Sequence, residues 1–325
     1  MLSGNFGLLF AGLVLIGFAS GADLPISLTI LSHDAEDEKT SARLIAIVQV
    51  FWQAGAFFCT ILGFVVSRME GTIGARIVFA ILGIIATIGF VWRIFSRKVK
   101  EIHEAGNQYR AAEGVTESKE VSFTKLFAGA EKNKYLAFFF CITIYYCCWN
   151  LLSNTFGQFQ TYILVKANAS QFLATGIGLV LTIVGLCGGV LYTRIAGSNQ
   201  RNKFFYAGIF VQAAAMIGIA LVSGSIWMMV LMIACYNIGT PFGGETMYKL
   251  WTQESFPMET RASVQGFING FSRFCCGVFA VITPMLVTAE RIRGTMFGFA
   301  GIIIVAAIAG TMMIRLQKKH GIGQM

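Results

Sequence analysis

The sequence is poor in charged residues and in proline, and these shortages exclude several classes of protein. Only 13% of its 325 residues are charged, against about 25% in an average soluble domain. Four prolines are too few for a collagen-like or a proline-rich disordered chain. In contrast, 56% of the residues are apolar or aromatic. This composition is typical of a chain whose surroundings are mostly lipid.

Histidine is also scarce, and the cysteines lack the spacing of a metal site. The three histidines, His33, His103 and His320, lie outside the long apolar runs, and no two of the eight cysteines form a CxxC pair. We therefore expect no cofactor, no metal site and no disulfide framework, and an intramembrane enzyme is disfavoured. The net charge of +9 does not indicate a nucleic-acid partner, because the basic residues are distributed over loops rather than on one face.

Apolar runs long enough to cross the bilayer dominate the chain. About 20 helical residues span roughly 30 Å of hydrocarbon, and nine such runs can be drawn. They cover residues 6–31, 44–66, 75–95, 135–163, 172–192, 204–222, 225–245, 262–287 and 296–315. We therefore predict an all-α, polytopic membrane bundle with a partial N-terminal half (1–95), a cytoplasmic linker (96–134) and a six-helix C-terminal half (135–325).

The distribution of lysine and arginine predicts the orientation. Of the 25 basic residues, 19 lie on the side that holds the linker and the C-terminus, and five lie on the other side. By the positive-inside rule the linker and the C-terminus are cytoplasmic and the N-terminus is outside. Short loops and a single long linker favour a bacterial inner membrane.

The chain contains a weak internal repeat. Glu36 precedes Arg43 by seven positions after the first span, and Glu254 precedes Arg261 by the same interval after the seventh. Both members of the repeat are offset by 218 residues, which aligns spans one to three with spans seven to nine. Chance recurrence is the alternative; transporters are often built from such repeats.

Three stretches resemble the major facilitator superfamily, particularly its bacterial sugar and polyol porters of the inositol-transporter type. The most specific is YKLWTQESFPMETRASVQGF (248–267), which is similar to the family's junction between the tenth and eleventh helices. GADLPISLTILS (21–32) and WNLLSNTFGQFQTYIL (149–164) are similar to its fourth and seventh helices. The resemblance covers the whole chain as helices four to twelve of a twelve-helix carrier, so the first three helices have no counterpart here.

Some family features are absent or altered. The loop motif between the second and third helices has no counterpart, and its second-half version is present only loosely as GVLYTRIAGSNQRNK (189–203). The sequence IFSRKVKE (94–101) replaces the sugar-porter motif after helix six. The resemblance implies that Glu36 with Arg43, and Glu254 with Arg261, form ion pairs that close the cytoplasmic gate.

Charged residues inside the spans are candidates for the transport path. Asp23, Glu245 and Arg273 are the three placed clearly within spans, where each costs at least about 2.5 to 3.5 kcal/mol on insertion scales. They either couple transport to protons or form buried pairs between helices. For Asp23 a local role beside Pro25 is a further alternative.

Uncharged polar residues recur at helical spacing on several spans and predict a polar cavity. Residues four apart share a helix face, and amides can bind hydroxyl groups in both directions. A flat aromatic ring can cover the C–H face of a sugar. The alternative is hydrogen bonding between helices. The candidate substrate-binding residues are Gln49, Gln53, Asn150, Asn154, Gln158, Asn237, Glu245, Trp251 and Asn269.

Two functions remain open at this point. The first is a proton-coupled secondary transporter of a small polyhydroxylated solute, working by alternating access, with the solute, protons and the lipid bilayer as its partners. The second is a non-transporting remnant or split-gene product that requires a separate piece carrying the missing helices.

Overall fold

The computed structural model describes most of the chain outside the linker. It describes residues 6–33, 35, 37–66, 69, 73–97, 100–101, 104, 126–129, 131–166, 170–222, 225–286, 288 and 290–322. Within these ranges every regular element is a helix, which confirms the all-α prediction. The predicted linker lies largely outside the described residues.

Ten helices make up the described part of the chain. In order they are α1 Phe6–His33, α2 Glu38–Val66, α3 Ile73–Phe95, α4 Lys132–Lys166, α5 Gln171–Ile195, α6 Arg201–Leu221, α7 Ile226–Gly239, α8 Glu245–Ser255, α9 Met258–Leu286 and α10 Ile292–Lys319. Eight of them are long and apolar enough to cross a membrane, and the shorter α7 is also apolar. The predicted span 225–245 is the exception, because its helix ends at Gly239 and a new helix begins at Glu245.

Helices α2 and α5 begin where a polar side chain satisfies a backbone N–H group of the first turn. Asp37 Oδ1 accepts the backbone N–H of Thr40 at 2.6 Å at the start of α2. Hydrogen bonds from Thr40 lower the pKa of the Asp37 carboxyl. Ser170 caps α5 in the same way, since its hydroxyl accepts the N–H of Leu173 at 3.2 Å. The cap explains why α2 begins six residues before the predicted span.

Helices α4 to α10 form one unit around an aromatic core. Helix α4 packs against α9 and α10, and α6 packs against α7 and α10. The fully buried ring of Trp251 lies 4.9 Å from Tyr145 and 5.3 Å from Phe205, between centroids. Gly208 and Gly239 allow the backbones of α6 and α7 to touch, since a Cβ on either would lie within 2.8 Å of the other's carbonyl oxygen.

Helices α1 and α2 contact this unit at one end of the bundle, and α3 packs on α2. We call that end of the bundle the linker end, because α3 ends and α4 begins there, and the opposite end is the distal end. Pro25 and Leu28 of α1 and Ala42, Ile45 and Ala46 of α2 are buried at the linker end.

Towards the distal end the same two helices are open. None of the described side chains of residues 7–23 and 51–66 is buried. Between these helices and the later ones, α1 packs against α9, and α2 packs against α5 and α8. We call helices α1 to α3 the first part of the molecule and helices α4 to α10 the second part. The two parts are therefore closed against each other at the linker end and separated at the distal end.

Candidate functional site

The centre of the molecule contains a broken helix, and side chains donate hydrogen bonds to the carbonyl groups at the break. The chain leaves α7 at Gly239, turns through residues 240–244 and re-enters a helix at Glu245. Gln212 Nε2 donates to the carbonyl oxygens of Gly239 at 3.2 Å and Gly243 at 3.1 Å. The hydroxyl of Tyr145 donates to the Gly244 carbonyl at 3.0 Å. Irregular backbone at membrane depth is tolerated only with such partners.

The break places a carboxylate at the start of α8, buried against the first half of the chain. Glu245 is 7% exposed, and Gln49 Nε2 of α2 donates to its Oε2 at 3.2 Å. Lys249 Nζ lies 3.2 Å from Glu245 Oε1 and donates to Gln49 Oε1 at 2.6 Å. The positive end of the α8 dipole also favours the anion. Glu245, Lys249 and Gln49, which we call the central triad, thus join the two parts of the molecule.

Polar residues of α4 and α9 extend from the triad towards the distal end. The Tyr146 hydroxyl lies 3.5 Å from Glu245 Oε1 and 3.3 Å from Asn269 Oδ1. Asn150 Nδ2 donates to the Ser272 hydroxyl at 2.7 Å. The predicted stripes on these two spans therefore face each other.

The polar row ends at the intramembrane arginine. Asn154 Nδ2 donates to Asn150 Oδ1 at 2.5 Å, and Arg273 NH1 donates to Asn154 Oδ1 at 3.0 Å. Arg273 is exposed. Of the two alternatives for Arg273, the buried ion pair is not seen among the described residues, which place no carboxylate within 4.0 Å of it.

Several predicted substrate-binding residues lie outside this group. Trp251 was expected to cover a sugar ring, but it is fully buried between Tyr145 and Phe205, so a solute cannot reach it in this conformation. Asn237 donates to the Ile233 carbonyl of its own helix at 2.9 Å. Gln53 lies beside α5, and its buried Oε1 has no partner among the described residues. The side chain of Gln158 lies outside the described residues.

Asp23 is paired rather than isolated. Its carboxylate accepts from Arg93 NH1 of α3 at 2.5 Å, and 55% of the Asp23 side chain is exposed. The pair joins α1 to α3 but is exposed, unlike the buried pair that was one alternative for this residue. Arg93, which the orientation count assigned to the linker border, lies within α3.

One of the two ion pairs that the resemblance implies has a different partner at the linker end. Glu254 pairs with Arg201 of α6, whose NH2 lies 3.0 Å from Oε2, and Gln317 of α10 donates to the same oxygen at 3.1 Å. Arg201 takes the place of Arg261 where α6 begins and where α8 and α10 end. Arg261 Nε donates to the Phe256 carbonyl at 2.8 Å. Arg43 is exposed, and Glu36 lies outside the described residues.

Lys249 is the residue of the site that sequence reasoning missed. It was counted with the basic residues of the linker side, yet its side chain is 0% exposed. Its position four residues after Glu245 is the signal that could have identified it, since oppositely charged residues at this spacing meet on a helix. Gln212 and Tyr146, which are buried polar residues of predicted spans, were also missed.

Comparison of the sequence with known proteins assigns the chain to a family. The family model of the Major Facilitator Superfamily matches residues 1–281. The minor myo-inositol transporter IolF of Bacillus subtilis (strain 168) is 28% identical over 317 residues, which cover 96% of this chain and 69% of that transporter. The chain is therefore similar to a known transporter along nearly all of its described helices.

Proposed function

The chain belongs to the major facilitator superfamily, a family of multi-pass membrane transporters and not of enzymes, and we propose that it transports a small polyhydroxylated solute. The proposal extends to proton coupling and to alternating access, in which the two parts rock about the central triad. The observation that carries it is the triad itself, a buried charge pair and an amide that link α2 to α8. Similarity to a myo-inositol transporter supports the solute class.

The geometry supports alternating access in one specific way. Contacts between the two parts occur at the linker end, while residues 51–66 of α2 are not buried. If the basic linker end faces the cytoplasm of a bacterial inner membrane, as the positive-inside rule predicts, this is an outward-facing state. The solute would enter from the distal end and reach the polar row of α4 and α9 above Glu245.

Glu245 is our candidate for proton exchange. It is a carboxylate at bilayer depth. Its partner Gln49 belongs to α2, and its partner Lys249 belongs to α8 and also contacts Gln49. A movement that separates α2 from α8 removes Gln49 from the pair. The change alters how strongly Glu245 holds a proton, which is the requirement for coupling.

The test is uptake of radiolabelled myo-inositol by transport-deficient bacteria that express this chain, with and without a protonophore. We expect protonophore-sensitive uptake that Glu245→Gln abolishes. Glu290→Gln, which neutralises an exposed carboxylate at the distal end, is the matched control and is expected to retain uptake. Uptake that persists in Glu245→Gln and in the protonophore would contradict the coupling proposal.

A second candidate function is a non-transporting chain that needs a separate partner piece with the first three helices of the family fold. One observation favours it: residues 7–23 of α1 have no buried side chain among those described. Co-expression of a three-helix segment from the inositol transporter tests this candidate. Uptake that appears only on co-expression would support it, and equal uptake without the segment would exclude it.

A further inference from the structure

Arg273 lies in the middle of α9, on the face that looks into the gap between the two parts. At the linker end of this face, a Cβ on Gly266 would lie 3.7 Å from Pro25 of α1. Gly270 and Gly277 share the face by helical spacing, and space is open at both. Arg273 therefore projects between two open positions, beyond the point where α1 and α9 touch.

The guanidinium group is held in place, and no ion pair joins it to a carboxylate in the part of the chain that the structure describes. Its NH1 donates to Asn154 Oδ1 at 3.0 Å, and Asn154 is itself held by Asn150. No carboxylate of the described residues lies within ion-pair distance of Arg273. A charge at bilayer depth is costly, so an arginine there normally faces a water-filled cavity or a partner.

The charge of the site is therefore unbalanced. Lys249 pairs directly with Glu245, and Arg273 acts on the same carboxylate from beyond ion-pair distance, so the two cations and one anion leave one positive charge in excess. In a narrow cleft with low-dielectric walls such an excess attracts anions. The planar fork of arginine matches a carboxylate with two parallel hydrogen bonds, and an amide beside it can bind a hydroxyl group.

We infer that Arg273 binds a carboxylate of the solute, so that the site prefers sugar acids to neutral sugars and cyclitols. The inference rests on the proposed function and narrows its solute class. The carboxylate pairs with the Arg273 fork, and the hydroxyl groups lie along the polar row of Asn154, Asn150 and Asn269.

The experiment compares D-glucuronate with D-glucose, which has CH₂OH in place of the carboxylate, and with myo-inositol. We expect the purified full chain to be stabilised against thermal unfolding by glucuronate at concentrations at least about tenfold below those needed for glucose, the ratio expected for one charge-assisted interaction. Uptake into cells that express the chain is expected to follow the same order. Binding to the purified chain needs no variant, so it is informative even if a variant fails to insert.

Variants then assign the effect to one side chain. Arg273→Gln is expected to lose the preference for glucuronate over glucose, while Arg273→Lys, which keeps the charge but not the fork, retains part of it. Arg194→Gln removes an exposed arginine near the end of α5 and is the control for a change of net charge; it is expected to keep the preference.

The outcomes separate this inference from the proposed function. Uptake of myo-inositol without binding of glucuronate would overturn the anion site and leave the transporter proposal standing. Binding of glucuronate without uptake of any of the three solutes would support the site and count against transport. A glucuronate preference that is unchanged in Arg273→Gln would also overturn the inference.

Discussion

At the scale of single residues, the burial of Lys249 depends on two oxygen atoms. Its ammonium group donates to Gln49 Oε1 at 2.6 Å and lies 3.2 Å from Glu245 Oε1. A charge removed from water is stable only with partners of this kind. Because one acceptor belongs to α2 and the other to α8, the lysine joins the two parts of the molecule as well as neutralising Glu245.

We predict that Lys249→Met destabilises the protein by about 3 to 5 kcal/mol, because Glu245 remains buried without a counter-charge. Replacing both residues in the double variant Glu245→Gln, Lys249→Met should recover most of this loss, since a buried pair contributes little net free energy. The measurement is the free energy of unfolding of the purified protein in mixed micelles as SDS is increased.

Lys203→Met serves as the control, because Lys203 is an exposed lysine of α6 and its replacement should change the unfolding free energy little. If the Glu245 and Lys249 substitutions prove additive, the two side chains do not interact as the structure describes.

At the scale of elements, the break between α7 and α8 is the feature that builds the site. It ends an apolar helix after 14 residues and places the carboxylate of Glu245 at the first turn of the next one. Gln212 is fully buried and also accepts the indole N–H of Trp149 at 3.1 Å. A single amide therefore ties α4 and α6 to the turn.

We predict that Gln212→Ala loosens this turn and displaces Glu245. The Gly243 carbonyl loses its side-chain donor and the buried Trp149 indole N–H loses its acceptor, and each unsatisfied buried group costs about 1 to 3 kcal/mol. Solute uptake should fall with stability, and hydrogen–deuterium exchange of residues 240–247 should become faster. Gln200→Ala, at an exposed glutamine just before α6, should change neither quantity. Unchanged exchange in Gln212→Ala would mean that the turn is held by other contacts.

The elements also show which features a sequence can predict. Long apolar runs specify eight helices of membrane-spanning length, because their position depends on local composition alone. The break at residues 240–244 was drawn inside one span, although the sequence TPFGG contains the proline and glycines typical of a turn. A hydropathy profile is a mean over a window longer than this interruption, so the break does not appear in it.

The site was partly predictable for the same reason. Helical spacing identified Gln49, Asn150, Asn154 and Asn269 as polar positions, and the structure joins each of them to the site or to its polar row. Spacing could not show that Gln49 meets Glu245, since 196 residues separate them. It also could not show that Trp251 faces the core, because an aromatic residue on a helix packs equally well on either face.

At the scale of the whole molecule, glycines bring the two parts together at the linker end. A Cβ on Gly197 of the α5–α6 turn would lie 2.8 Å from Lys39 Cγ and 3.4 Å from Lys39 Cα, in α2. Side chains of α1 and α2 nearer the distal end are not buried among the described residues. Rocking of one part against the other, as alternating access requires, must therefore separate Lys39 from Gly197.

This requirement gives the last prediction, tested in a background with the eight native cysteines replaced. Lys39→Cys with Gly197→Cys places two cysteines close enough for a disulfide, and oxidation should lock the linker end and abolish uptake until a reductant is added. Val66→Cys with Gly74→Cys is the matched control, since a Cβ on Gly74 would lie 3.1 Å from Val66 Cβ. That pair joins α2 to α3 within one part, so oxidation should leave uptake intact. Uptake that survives complete formation of the first disulfide would exclude opening of the linker end from the transport cycle.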